Sequence, residues 1–285
     1  MTARAEPLQE TAYDLVTDAA DFPAWTGPPR RTLVICSHPR SGTTLLGEAL
    51  HRAGGLGLPL EYFHRGFRPH FERRWEAADL KAYVRAVHHH RTDPSGVLSV
   101  KLFWQDVEEL AQEIDPAGQP AFGQTPPESQ AADAYRRQAA LIADIFPNPT
   151  WVYLRRGDRV RQAVSALVAG QTGVWRSVSG QAAGPAAEPA YDFDRLSVLM
   201  GLGDYCHRHW QAFFAALGLR PYELTYEALT GAYETTVRAL LRAVGADRVE
   251  VPPPRLHRQS NALTEAIALR FLKDEARRRP ASPPD

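Results

Sequence analysis

Residues 32–50, TLVICSHPRSGTTLLGEAL, constrain this chain more tightly than any other stretch. Residues 32–36 are mostly β-branched or apolar and read as a buried strand. Residues 37–44 follow as a loop of small and hydroxyl side chains. The spacing of Leu45, Leu46, Ala49 and Leu50 then marks one face of a helix. A strand, a small-residue loop and a helix N-terminus form an anion cradle. The first turn of the helix has N–H groups without intrahelical partners and the positive end of a dipole, and both suit phosphate or sulfate. Gly42 lets the backbone come close to such an anion. Ser41, Thr43 and Thr44 offer hydroxyl donors, and Arg40 adds a cation at the mouth of the loop.

The loop departs from the Walker A pattern G-x-x-x-x-G-K-[ST]. Gly42 and Thr44 match its last glycine and its hydroxyl, but Thr43 stands where the lysine belongs and Ser37 replaces the first glycine. ATPases and GTPases need that lysine for the β- and γ-phosphates. The loop therefore points to a different nucleotide or to a loop without catalytic use.

Further along, strands at 97–103, 150–154 and near 222–225 alternate with helices at 44–53, 75–90, 133–146, 158–169, 194–217, 232–244 and 263–275. Gly54-Gly55 and the turn Asp93-Pro94-Ser95-Gly96 end the first two helices. Residues 112–130 and 180–189 read as loops. This order predicts an α/β fold with a mostly parallel sheet flanked by helices, and a ligand site beyond the carboxyl ends of the strands. Residues 1–29 read as a peripheral segment whose Tyr13, Leu15, Phe22 and Trp25 could pack against the domain, 30–276 as one domain and 277–285 as a disordered tail. With 285 residues, 33 Lys plus Arg and 33 Asp plus Glu, no basic field suggests a nucleic-acid partner. Two cysteines make no disulfide framework, no apolar run reaches about 18 residues, and the first residues are acidic. A cytoplasmic protein without integral membrane association is the expectation.

The loop PRSGTT of residues 39–44 resembles the 5'-phosphosulfate loop of sulfotransferases that use 3'-phosphoadenosine 5'-phosphosulfate, PAPS. The segments GLPLEYF (57–63), VKLFW (100–104), LRRGDRVRQAVS (154–165), QTGVW (171–175) and RQSN (258–261) resemble, in order, the bacterial trehalose 2-sulfotransferase family. That resemblance implies a P-loop-like sulfotransferase fold and PAPS as the sulfuryl donor. It also implies an alcohol acceptor of carbohydrate or glycolipid type, and a homodimer with 62–71 and Trp175 as candidate contacts. No metal is required. A P-loop kinase using ATP and a non-catalytic nucleotide-binding protein are the alternatives.

The same resemblance makes Glu61 the general base, with Tyr62 and Phe63 walling off solvent and counted among the acceptor-binding residues. Glu61 could instead cap a helix or pair with Arg65. Arg40 is assigned to the transferring group, with a surface cation as its alternative. Arg156 and Ser165 correspond to the reader of the donor's 3'-phosphate, with Arg155 competing. Arg258 closes over that phosphate unless its segment is only a polar loop. Lys101, a lysine in an apolar strand, must snorkel or find an anion. Trp104, Gln171 and Trp175 offer indole faces and an amide to a sugar-like acceptor. His38 and His64 are further acid–base candidates. His88-His89-His90 is poorly spaced for a metal and reads as a solvated helix end.

Overall fold

A computed structural model of the chain describes residues 16–175, 188–246, 249–256 and 261–278. Four strands make one sheet: β1 (Arg31–Ser37), β2 (Val97–Phe103), β3 (Pro149–Arg155) and β4 (Tyr222–Thr225), in the order β2-β1-β3-β4. All three ladders are parallel, with Val34 opposite Val100 and Trp151, and Leu154 opposite Leu224. The helices are α1 (Thr43–Ala53), α2 (Arg68–Arg74), α3 (Leu80–Arg91), α4 (Trp104–Ile114), α5 (Ala132–Leu141), α6 (Arg159–Thr172), α7 (Phe193–Leu217), α8 (Tyr226–Gly231), α9 (Tyr233–Ala243) and α10 (Ala262–Arg278).

The period-2 alternation of β1 sorts the helices onto the two faces of the sheet. Leu33 and Ile35 pack with Leu46, Ala49 and Leu50 of α1 and with Val237, Leu240 and Leu241 of α9. Val34 and Cys36 face the opposite core, built around Trp104, Trp210 and Phe213. A third cluster joins α6, α7 and α10 through Leu167, Leu196 and Phe271. Cys36 and Cys206 are both buried and free. The expected α/β class, the parallel sheet and the four strands match the structure.

Several helices do not match. α2, α4 and α8 were not expected. α4 begins directly where β2 ends, because Asp106 turns back to accept the N–H of Phe103 at 2.8 Å. α5 stops at Leu141, where Ile142 begins a turn, five residues short of its expected end. α10 runs through Arg278, two residues into the expected tail.

Part of the segment read as peripheral is docked. Asp21 pairs with Arg91, which is fully buried at 3.1 Å from it, and with Arg74, while Phe22 and Trp25 donate their N–H groups to His90 and His89. Among the described residues, no helix is long and apolar enough to cross a membrane.

Candidate active site

β1 ends at Ser37, α1 begins at Thr43, and the loop between them contains two left-handed residues, Arg40 at φ 67° and Gly42 at φ 90°. Such a residue in an otherwise right-handed turn makes a nest of backbone N–H groups that suits an anion. Gly42 is required here for a second reason. A Cβ on it would lie 2.8 Å from Cδ2 of Tyr226.

The carbonyls of residues 37–40 and of Gly42 are committed elsewhere. Ser37 O accepts from the Trp210 indole at 3.1 Å, His38 O from Ser41 Oγ at 2.8 Å, and Pro39 O from the Gln162 amide at 2.9 Å. Arg40 O accepts from Arg156 at 3.3 Å, and Gly42 O from the N–H of Leu46 at 3.0 Å. With these oxygens held by protein donors, the loop offers its N–H groups and the positive end of α1 to whatever approaches. This accounting corrects the reading of Ser41. Its hydroxyl is fully buried, donates to His38 O and accepts from Gln162 at 2.9 Å, so it braces the loop from inside. Thr43 and Thr44 are the first two residues of α1, which begins one residue earlier than expected, and Thr43 is buried.

Two arginines and a serine converge on this loop. Arg40 donates from Nε to Ser165 Oγ at 2.9 Å and from a terminal nitrogen to Trp175 O at 2.6 Å. Arg156, just past β3, is buried and lies 4.4 Å from the centre of the Tyr226 ring. Arg155 is exposed, so strand alternation turns Arg156 toward the loop and Arg155 away. Glu227 at the start of α8 fastens the Arg156 turn by accepting the N–H groups of Gly157 and Asp158, each at 3.1 Å. Burial opposes the charge on Glu227, but those N–H donors outweigh it and hold its carboxyl below the ordinary range. Arg258 lies outside the described residues.

Glu61 sits beside β2. Leu60 bridges Val100 in parallel, and the Lys101 N–H donates to Leu60 O at 2.8 Å. That register sets Glu61 next to Lys101, whose ammonium lies 3.5 Å from Glu61 Oε1. Lys101 is only 2% exposed and finds its anion here. Gly47 of α1 makes room for it, since a Cβ there would lie 3.1 Å from Lys101 Cε. Gly47 follows Thr43 by four residues, about 6 Å along the helix axis. Arg65 approaches Glu109 at 3.9 Å.

Other candidates are engaged within the protein. Tyr62 and Trp104 are fully buried, and Phe63 nearly so. Tyr62 donates to Leu58 O at 2.7 Å, the Trp104 indole donates to Glu108 at 2.9 Å, and Phe63 packs on Tyr83 and Phe146. Aromatic rings beside a polar motif were read as ligand faces, but their area is spent on the core. Burial of Tyr62 and Phe71 also removes them as contacts with a second subunit. Gln171 exchanges both amide hydrogen bonds with the backbone of Ala190. Trp175 is 48% exposed. His64 accepts from the N–H of Gly66, and burial lowers its pKa. His88 is buried against Ile145 O, His89 meets Trp25 O and His90 stacks on Trp75, so the three imidazoles are structural and not uniformly solvated. Among the described residues, no group of three or more His, Cys, Asp or Glu could hold a metal.

His38 and His207 stand at the back of the loop, ring centres 6.1 Å apart. Burial, assisted by the charge of Arg159, pushes His38 down to about 4 and His207 to about 3. Tyr226, Glu227 and Gln162 went unnoticed in the sequence. No local pattern marks them, because their roles arise only when β3, α6 and α8 meet the loop.

A family model described as Stf0 sulphotransferase matches residues 32–274. A trehalose 2-sulfotransferase from Mycobacterium tuberculosis (strain ATCC 35801 / TMC 107 / Erdman) is 30% identical over 274 residues, covering 87% of this chain and 96% of that protein. A trehalose 2-sulfotransferase from Mycolicibacterium smegmatis (strain ATCC 700084 / mc(2)155) is 25% identical over 278 residues, covering 87% and 97%.

Proposed function

The chain belongs to the Stf0 sulphotransferase family, and on that premise we propose that it moves a sulfuryl group from PAPS to a hydroxyl of a carbohydrate-type acceptor. The products are a sulfate ester and adenosine 3',5'-bisphosphate. The observation that carries this reading is the convergence of Arg40, Arg156 and Ser165 on a loop whose carbonyls at His38, Pro39, Arg40 and Gly42 are committed to protein donors. A donor with a 5'-phosphosulfate and a separate 3'-phosphate fits that donor set. We assign the loop N–H groups and Arg40 to the first, and Arg156 with Ser165 to the second. The family resemblance adds Arg258 as a further candidate for the 3'-phosphate and implies a P-loop-like fold.

PAPS supplies the sulfuryl group, which bonds to the acceptor oxygen as its bond to the 5'-phosphate oxygen breaks. Arg40 offsets charge near that group, in a setting where a fixed cation acts more strongly than in water. Glu61 takes the proton from the acceptor hydroxyl, and Lys101 fixes the carboxylate for that task. Trehalose is the first acceptor to test, because both relatives carry it in their names. A homodimer and a cytoplasmic setting belong to the same reading. The dimer is supported by family resemblance, the cytoplasm by a sequence whose two cysteines make no disulfide framework.

Calorimetry with adenosine 3',5'-bisphosphate, ADP and ATP tests the donor. Tight binding of the first alone is expected. Equal affinity for ADP would overturn the assignment of a 3'-phosphate site.

A further inference from the structure

We propose that Gln162 is a positioning residue that sets the polarity of the anion loop, holding its carbonyls outward so that its N–H groups meet the donor's 5'-end. The proposal rests on the donor reading given above. Gln162 is the fourth residue of α6 and is buried. Its amide nitrogen donates to Pro39 O and to Ser41 Oγ, both at 2.9 Å. Ser41, having accepted that bond, donates to His38 O at 2.8 Å. One side-chain amide therefore governs two consecutive carbonyls, one directly and one through a hydroxyl relay.

These carbonyls decide what the loop can bind. A peptide oxygen turned inward would place partial negative charge against a phosphate or sulfate, while one held outward leaves the neighbouring N–H free to donate. Gln162 also precedes Ser165 by three residues, which sets both on one face of α6. Ser165 accepts from Arg40, so α6 holds the loop through Pro39, Arg40 and Ser41 in succession. The donor requirement is strict. A glutamate at 162 has the same shape but offers only acceptors when ionised, and it would face Pro39 O with like charge.

The test compares Gln162→Met, which keeps volume and loses both donors, with Gln162→Glu and with Arg156→Ala. Calorimetry reads adenosine 3',5'-bisphosphate and AMP, and steady-state kinetics reads KM for donor and acceptor separately. Both Gln162 variants are expected to weaken the two nucleotides by the same factor, about 10- to 100-fold. Gln162→Glu is expected to be the weaker binder, and acceptor KM to stay at the parent value. Arg156→Ala is expected to weaken the bisphosphate alone. Parent-like affinity in Gln162→Met would overturn the proposal, and so would donor and acceptor KM rising together with a lowered thermal midpoint, which marks a general loss of structure. If the parent itself does not bind the bisphosphate, the donor reading fails first, and that outcome is distinct from either of these.

Discussion

Replacing Gly42 by alanine tests the loop geometry through two separable costs. The first is conformational. Gly42 sits at φ 90°, where an L-residue costs roughly 1–2 kcal/mol. The second is steric. The new methyl would lie 2.8 Å from Cδ2 of Tyr226, closer than side chains tolerate, and the ring cannot swing freely because the Arg156 guanidinium rests on it at 4.4 Å. Overpacking of this kind costs about 1–3 kcal/mol. Gly42→Ala should therefore lose roughly 2–5 kcal/mol in urea unfolding and bind adenosine 3',5'-bisphosphate at least tenfold more weakly. The costs separate in a double-mutant cycle. In a Tyr226→Ala background the methyl meets no ring, and the penalty of Gly42→Ala should shrink to the conformational part, about 1–2 kcal/mol. Equal penalties in both backgrounds would show that the Tyr226 contact does not explain the glycine. A neutral Gly42→Ala would refute the left-handed loop itself.

Stability should depend on His38. Its pKa is near 4 in the folded chain against 6.5 ordinarily, so the unfolded state binds more protons between those values; stability is complete above pH 6.5 and falls by on the order of 3 kcal/mol as the pH drops to 4, and urea titrations of His38→Gln should show a flatter profile. Arg156→Ala should weaken adenosine 3',5'-bisphosphate by roughly 30-fold or more and leave AMP nearly unchanged by calorimetry, since a buried charged contact is worth about 2–5 kcal/mol; equal losses would place Arg156 elsewhere. Arg91→Leu removes the buried partner of Asp21 and should cost about 3 kcal/mol, with proteolysis near residue 21 as the readout; unchanged protection there would show that the pair does not hold the segment.

What the sequence revealed depended on locality. β1, the loop and α1 were legible because strand period, small residues and helix period follow one another without interruption. β2 and β3 showed the same apolar runs, and Lys101 was recognised as a buried cation in need of an anion, which Glu61 supplies. α4 was hidden because no glycine, proline or gap separates it from β2; Asp106 makes the junction, and an aspartate three residues into a helix is too common to announce that role. α8 is six residues long, too short for periodicity. The loop's supports were illegible for a different reason. Gln162, Tyr226 and Glu227 act across 70 to 184 residues of chain, and polar or aromatic residues on helices usually have no such duty. Tyr62 and Trp104 show the opposite error. Motif proximity suggested a ligand face, whereas large rings near a sheet edge gain more by burial in the core.

The central claim is that the loop and its arginines present a sulfuryl group to a hydroxyl deprotonated by Glu61. Single-turnover transfer from sulfur-labelled PAPS to trehalose, run beside direct donor binding for the parent and for Glu61→Gln, tests it most directly. The account predicts label on the sugar with the parent, and transfer slower by roughly 10²–10⁴-fold in Glu61→Gln with donor affinity kept. Near-normal transfer by Glu61→Gln would contradict the base assignment, and a parent that binds PAPS but labels no sugar hydroxyl would contradict the acceptor class.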